Sequence, residues 1–279
     1  MKIIKKRYPG LISGMFMGII LLFAGEFIAD IVVTALSEFF YPSWSRTLEA
    51  QLFSFFGIIV VVLLWSYYIE KRSMRSLGLE CRKAPLQFLK GWGLGAGILT
   101  FTVLLMMVAG VVRIHSFNFS LTLAVRLCVL FLAWSIQGSA EEILTRGWLF
   151  KGLGHRYSTI TAIIASSLFF TLLHGLNPSM GWIPVLDLFL FGVFACLLVM
   201  KTGSLWQACG FHAAWNCFQG NIFAFPVSGT SAGTALISVS LHGSPLLNGG
   251  TFGVEGSLIS VMIQLVLIFY LLWTMKKRV

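Results

Sequence analysis

Residues 57–69 read GIIVVVLLWSYYI and residues 257–273 read SLISVMIQLVLIFYLLW, and neither run contains a charged side chain. A helix needs about 20 mostly apolar residues to cross the hydrocarbon core of a bilayer, a length both runs reach with their neighbours. The rest of the chain agrees with them. It is 57% hydrophobic and 11% charged, where a soluble domain carries roughly 25% charged residues. The composition implies an all-α polytopic membrane bundle, read as a single domain over 1–279.

Eight spans are predicted, at 11–35, 52–70, 90–112, 121–146, 158–175, 182–200, 204–225 and 257–275. The formal charge of +10 does not point to nucleic acid, because the basic residues cluster at span ends rather than along one stripe. They suit contacts with anionic lipid headgroups and topology signals. With the N-terminus in the cytoplasm, every lysine and arginine except Arg46, Arg113 and Arg126 falls inside. Both termini are then cytoplasmic. The start, with Glu26 and Asp30 interrupting its apolar stretch, reads as an uncleaved first span rather than a signal peptide. Compact length and the absence of a targeting peptide favour a prokaryotic plasma membrane.

Five cysteines without framework spacing predict no structural disulfide. In GWGLGAG at 91–97, Gly93 and Gly97 are expected to form a small-residue face for close helix packing. The basic segment 70–87 either lies on headgroups or is a solvated loop.

Ionisable groups inside spans are costly and face a partner or a cavity. Glu141-Glu142-Ile143-Leu144-Thr145-Arg146 is the first such group. Glu142 and Arg146 stand at i, i+4 and can form an ion pair. Glu141 points about 100° away and is left free to accept a proton. Alternatively, this helix end dips into headgroups with its charges solvated. Phe170 and His174 follow, with Phe170 expected as a cavity wall one turn from a histidine that could hold or activate water, bind a metal, or simply sit at the interface. Third come His212 and Asn216, again at i, i+4, separated by the small Ala213 and Ala214. They could stabilise an oxyanion or serve as polar contacts between helices.

In order, Glu-Glu-x-x-x-Arg, Phe-x-x-x-His and His-x-x-x-Asn on successive spans resemble the CPBP family of intramembrane proteases. This is also called the Abi or CAAX-protease family, and includes endopeptidases that process prenylated CAAX proteins. The likeness covers about 126–222, the expected catalytic core. It implies a peptidase in which Glu141 and His174 activate water, His212 and Asn216 stabilise the oxyanion, and Glu142, Arg146 and Phe170 support the site. No cofactor is required on that reading. Glu141, His174 and His212 would also make a zinc ligand set with water in the fourth position, and the resemblance favours the metal-free chemistry. Expected partners are membrane lipids and a peptide, either lipidated at its C-terminus or linked to bacteriocin maturation or self-immunity. The expected cavity opens toward the cytoplasm.

At 1.5 Å per residue Glu141 and His212 fall about 8–13 Å from the cytoplasmic face, but His174 about 24 Å; a tilted fifth helix or a dip between 147 and 157 would reconcile them. The competing function is a non-catalytic immunity or transport protein using Glu26 and Asp30, with Asp187 and Arg126 as further intramembrane candidates; the structural alternative to an ion path is that Arg126 or Lys90 neutralises one of these acids across the bundle. Cys209 and His212, at i, i+3, could bind a soft metal, though a packed thiol is the simpler reading.

Overall fold

The structure is a computed structural model in which residues 7–40 and 43–277 are described, apart from the side chains of Phe40 and Cys81. Lys2, Lys5, Lys6 and Arg278, counted above as inner basic residues, lie outside these. The chain is an all-α polytopic bundle. Its main helices are α1 (Leu11–Phe40), α2 (Leu48–Ile69), α3 (Ala84–Val108), α4 (Leu121–Leu153), α5 (Thr159–Leu173), α6 (Trp182–Thr202), α7 (206–222) and α8 (Leu258–Lys276). Six are long and apolar enough to cross a membrane. The exceptions are α5, at 15 residues, and α7.

Polar side chains start several of these helices by accepting from otherwise unpaired backbone N–H groups. Ser120 Oγ accepts from Leu123 N before α4, and Ser158 Oγ from Thr161 N before α5. Gly203 closes α6 in the left-handed conformation, at φ 68°, which glycine adopts without a Cβ penalty. The middle of α6 is enclosed by its neighbours, whereas α1 turns Phe16, Phe23 and Phe27 outward. Such an apolar exterior is stable in lipid, where helices must satisfy their own backbone groups.

Glycines set where helices touch. A Cβ on Gly91 would lie 2.0 Å from the Gln207 carbonyl oxygen, and one on Gly95 2.3 Å from that of Phe211. From the other side, a Cβ on Gly210 would meet the Phe88 carbonyl oxygen at 2.0 Å. The α3–α7 contact therefore uses Gly91 and Gly95, not Gly93 and Gly97, where an added methyl would meet nothing within 4 Å. The two sets lie on different faces of one helix, and hydropathy alone does not say which face has a neighbour. On α1 and α2, Gly25 and Gly57 make a similar backbone approach.

Between spans the chain is more ordered than its composition implies. β1 (Val112–Phe117) pairs antiparallel with β2 (Ile237–Leu241), with Val112 opposite Leu241 and a bulge between Ile114 and Ser116. Residue 112, expected at the end of the third span, starts this strand. Glu255, in a 3-10 turn before α8, accepts from Trp215 Nε1, Gln219 Nε2, and both the backbone N–H and hydroxyl of Ser228. It ties the loop after α7 to the bundle.

Arg126 pairs with Glu49 of α2 and donates to Thr234. It therefore does not neutralise Glu26, Asp30 or Asp187. Asp187 instead accepts from Gln264 of α8 at 2.7 Å. Cys128, Cys196, Cys209 and Cys217 are free thiols, the last three buried.

Candidate active site

The site is built where α4, α5 and α7 meet. Gly138 of α4 lets α7 approach so closely that a Cβ there would lie 2.8 Å from Ala213 N. Ala213 and Ala214 are fully buried at this crossing, so small residues on both helices bring the polar side chains of one to the other.

The adjacent glutamates take different roles, as a helix that turns 100° per residue requires. Glu142 Oε1 accepts from Arg146 at 2.9 Å, and neither side chain is exposed. The Arg146 guanidinium also donates to Thr145 Oγ1 and lies 4.3 Å over the Phe170 ring, a favourable cation–π placement in a desolvated site. Phe170 thus backs the ion pair. It stacks on Phe191 and meets the edge of His212, and it is absent from the cavity wall where it was expected.

Glu141 is held differently. Its Oε1 accepts from Gln137 Nε2 at 2.6 Å, and Gln137 Oε1 in turn accepts from Asn216 Nδ2 at 3.0 Å. Its Oε2 has no hydrogen-bond partner. That oxygen lies 3.9 Å from His174 Nε2 and 3.7 Å from His212 Nε2. The opposite nitrogen of each ring is engaged. His174 Nδ1 donates to the Phe170 carbonyl at 2.9 Å, and His212 Nδ1 lies 3.0 Å from Glu142 Oε1. A carbonyl oxygen only accepts, so His174 carries its proton on Nδ1 when neutral and turns the Nε2 lone pair toward Glu141.

The depth mismatch expected from sequence disappears because α4 does not end at Arg146. It continues through a π-helical stretch, Ile143–Phe150, to Leu153. Glu141 therefore lies about 18 Å from that helix end at 1.5 Å per residue, and His174 about 22 Å from the start of α5. The α6–α7 turn is raised as well. Leu205 N donates to the Gly78 carbonyl, and Leu205 and Leu77 pack on Gly147, so α7 starts well inside the bundle. Neither the tilted helix nor the inward dip is needed. Arg72 donates to the carbonyls of Gly147 and Trp148, satisfying groups in the π-helical stretch. Burial pulls the Arg72 guanidinium below its ordinary pKa, against the opposing pull of Glu70.

A cavity of about 280 Å³ adjoins Glu141, His174 and Asn216. Its other walls include Glu26, Trp134 and Gln137, with Leu22, Leu52 and Phe55 supplying apolar surface. It is bordered by residues 48–55, by Asn177 and by 227–230, which stand at the end of the bundle opposite the α4–α5 turn.

Among the described residues, no group of three or more histidine, cysteine, aspartate or glutamate side chains is disposed to hold a metal ion. Cys209 is packed away from any ligand set. Gln137 is the residue here that sequence reasoning missed, and the place of Glu26 in this cavity was not foreseen. Gln137 precedes Glu141 by four residues and so shares its face, which was the available signal. Glu26 was read, with Asp30, as an acidic pair that could serve transport.

Residues 121–218 match the family described as Type II CAAX prenyl endopeptidase Rce1-like. No curated protein and no solved structure matches the chain. The matched stretch holds Glu141, Glu142, Arg146, Phe170, His174, His212 and Asn216 together, and over these residues the chain is similar to that family, in keeping with the CAAX-protease resemblance of its three motifs.

Proposed function

We propose that the chain is an intramembrane endopeptidase in which Glu141 and His174 activate the attacking water. The observation that carries this reading is the unpaired Glu141 Oε2 facing two imidazole Nε2 atoms at 3.7 and 3.9 Å beside a cavity. A water bonded to Glu141 Oε2 and His174 Nε2 would give up one proton as its oxygen adds to the scissile carbonyl. The negative charge then gathers on the carbonyl oxygen. Asn216 has a second amide N–H beyond the one given to Gln137, and His212 can donate from Nε2 when protonated, so both can meet that oxyanion. The proton taken from water passes to the leaving amine as the C–N bond breaks. Every step uses side chains of this chain, and none is routed through a metal.

The match to a CAAX endopeptidase family supports a peptide or protein substrate and an integral membrane location. Two substrate classes fit: a lipidated C-terminal segment and a peptide linked to bacteriocin maturation or self-immunity. With cytoplasmic termini in a prokaryotic plasma membrane, the cavity's position favours a peptide presented from the outer half. The deciding experiment is a peptidase assay of purified protein on a peptide library, with and without chelator, repeated on Glu141→Gln. Cleavage that survives this substitution unchanged would overturn the assignment. If Glu26→Gln with Asp30→Asn removed the cellular phenotype while Glu141→Gln left it intact, transport would replace it.

A further inference from the structure

We propose that Glu26, supported by Asp30, forms an acidic subsite that selects a lysine or arginine side chain in the peptide. This rests on the peptidase reading and adds to it a class of substrate. Glu26 lines the cavity that holds Glu141, and it also lines a neighbouring groove of about 450 Å³ between α1 and α2. Gln51 and Phe55 are shared by both spaces, so Glu26 stands where groove and cavity meet. The groove continues over Phe23 and Phe27, which are turned outward, and reaches Asp30 one helical turn further along α1.

The charge in this region is one-sided. Neither space has a lysine or arginine in its wall. Arg146 is committed to Glu142 and Thr145, and Arg126 to Glu49. Among the described residues no hydrogen bond or ion pair engages the Glu26 or Asp30 carboxylate. In the same cavity Glu141, only 7% exposed, directs an unpartnered oxygen inward. Unpaired carboxylates in poorly solvated surroundings are costly until a cation joins them. Phe23, Phe27 and Phe55 complement that demand, because a basic side chain lays its aliphatic stem on apolar surface and its charge beyond it. A peptide sliding in between α1 and α2 would thus place a cation at Glu26 and its backbone toward Glu141.

The test uses Glu141→Gln protein in nanodiscs of zwitterionic lipid, so that peptides bind without being consumed. The probes are short, labelled apolar peptides with one lysine stepped along the sequence, each matched with its N-acetyl-lysine twin, and binding to empty nanodiscs is subtracted. At one lysine position the charged peptide should bind about tenfold tighter than its twin, the scale of one partly desolvated ion pair. Glu26→Gln should abolish that preference and Asp30→Asn reduce it. Equal binding of twins at every position, or a preference that survives in the Glu26→Gln/Asp30→Asn double variant, overturns the subsite. Cleavage of the same peptides by the parent protein reports separately. Glu141-dependent cleavage of both twins at equal rates leaves the peptidase standing and removes the subsite. Tight lysine-dependent binding without any cleavage keeps the subsite and removes the peptidase.

Discussion

His212 Nδ1 lies 3.0 Å from Glu142 Oε1, the same oxygen that Arg146 holds at 2.9 Å. The buried ion pair therefore does more than neutralise two charges. It fixes which imidazole nitrogen turns toward Glu141, just as the Phe170 carbonyl does for His174. Two neighbouring glutamates with the same chemistry are separated, by 100° of helix and one arginine, into one held in an ion pair and one left with an unpartnered oxygen.

That separation predicts opposite phenotypes. Glu141→Gln keeps the side chain's shape and its bond from Gln137 in modified form, so the protein should fold with an unchanged melting temperature. Peptidase activity should fall by about 10²-fold or more, the usual contribution of a general base. The two readouts are thermal unfolding in detergent and cleavage of a library-derived peptide.

Arg146→Met should do the reverse to stability. It leaves the fully buried Glu142 carboxylate without its cation, and breaking a buried pair from one side costs about 3–5 kcal/mol. The melting temperature should drop sharply and yield should fall with it. Replacing both partners, Glu142→Met with Arg146→Met, should recover part of that loss, because no member of the pair is then left as an uncompensated buried charge; the recovery is partial because His212 Nδ1 also loses its acceptor. A melting temperature that falls further in the double variant would show that the pair is not coupled in this way.

Gln137 is the link between Glu141 and Asn216, donating to one and accepting from the other. Gln137→Leu should reduce kcat roughly tenfold, the scale of one hydrogen bond to a charged group. KM should change little, because Gln137 acts on the carboxylate rather than on the peptide. Gln137→Glu should not rescue it, since a carboxylate cannot donate to Glu141. A proportionate rise in KM with kcat intact would instead place Gln137 in substrate binding.

How much of this was legible in the chain depends on the kind of signal. Long apolar runs mark all eight helices, because hydropathy is a property of the segment itself. The i, i+4 spacing of Glu142 and Arg146 was readable for the same reason, being internal to one helix. The extension of α4 to Leu153 was not, because Arg146 and Lys151 look like the end of a span until Glu142 and the surrounding fold are seen to bury Arg146 and partly cover Lys151. Convergence of His174 with Glu141 is a relation between helices, and a short α5 and a raised α7 start leave no mark in hydropathy. Gln137 and Glu255 are single polar residues whose partners lie on other elements or across a turn. Nothing in their local sequence names those partners.

The α3–α7 crossing offers the sharpest test of packing, because four glycines of one helix fall on two faces. Gly95→Ala drives a methyl to within 2.3 Å of the Phe211 carbonyl oxygen, a backbone atom that cannot step aside alone. Overpacking of this kind costs about 1–3 kcal/mol. The strain also falls on the residue preceding His212, so the imidazole should move relative to Glu141 and activity should drop more than stability alone explains. Gly97→Ala meets nothing within 4 Å and faces outward from that contact. In a helix interior alanine is favoured over glycine by about 0.8–1.0 kcal/mol, so this variant should be neutral or slightly stabilised with full activity. Equal melting temperatures for the two variants would mean that α3 and α7 are not in backbone contact. The position assigned to His212 would then lose its support, since α7 reaches Glu141 only by lying this close to α3 and α4.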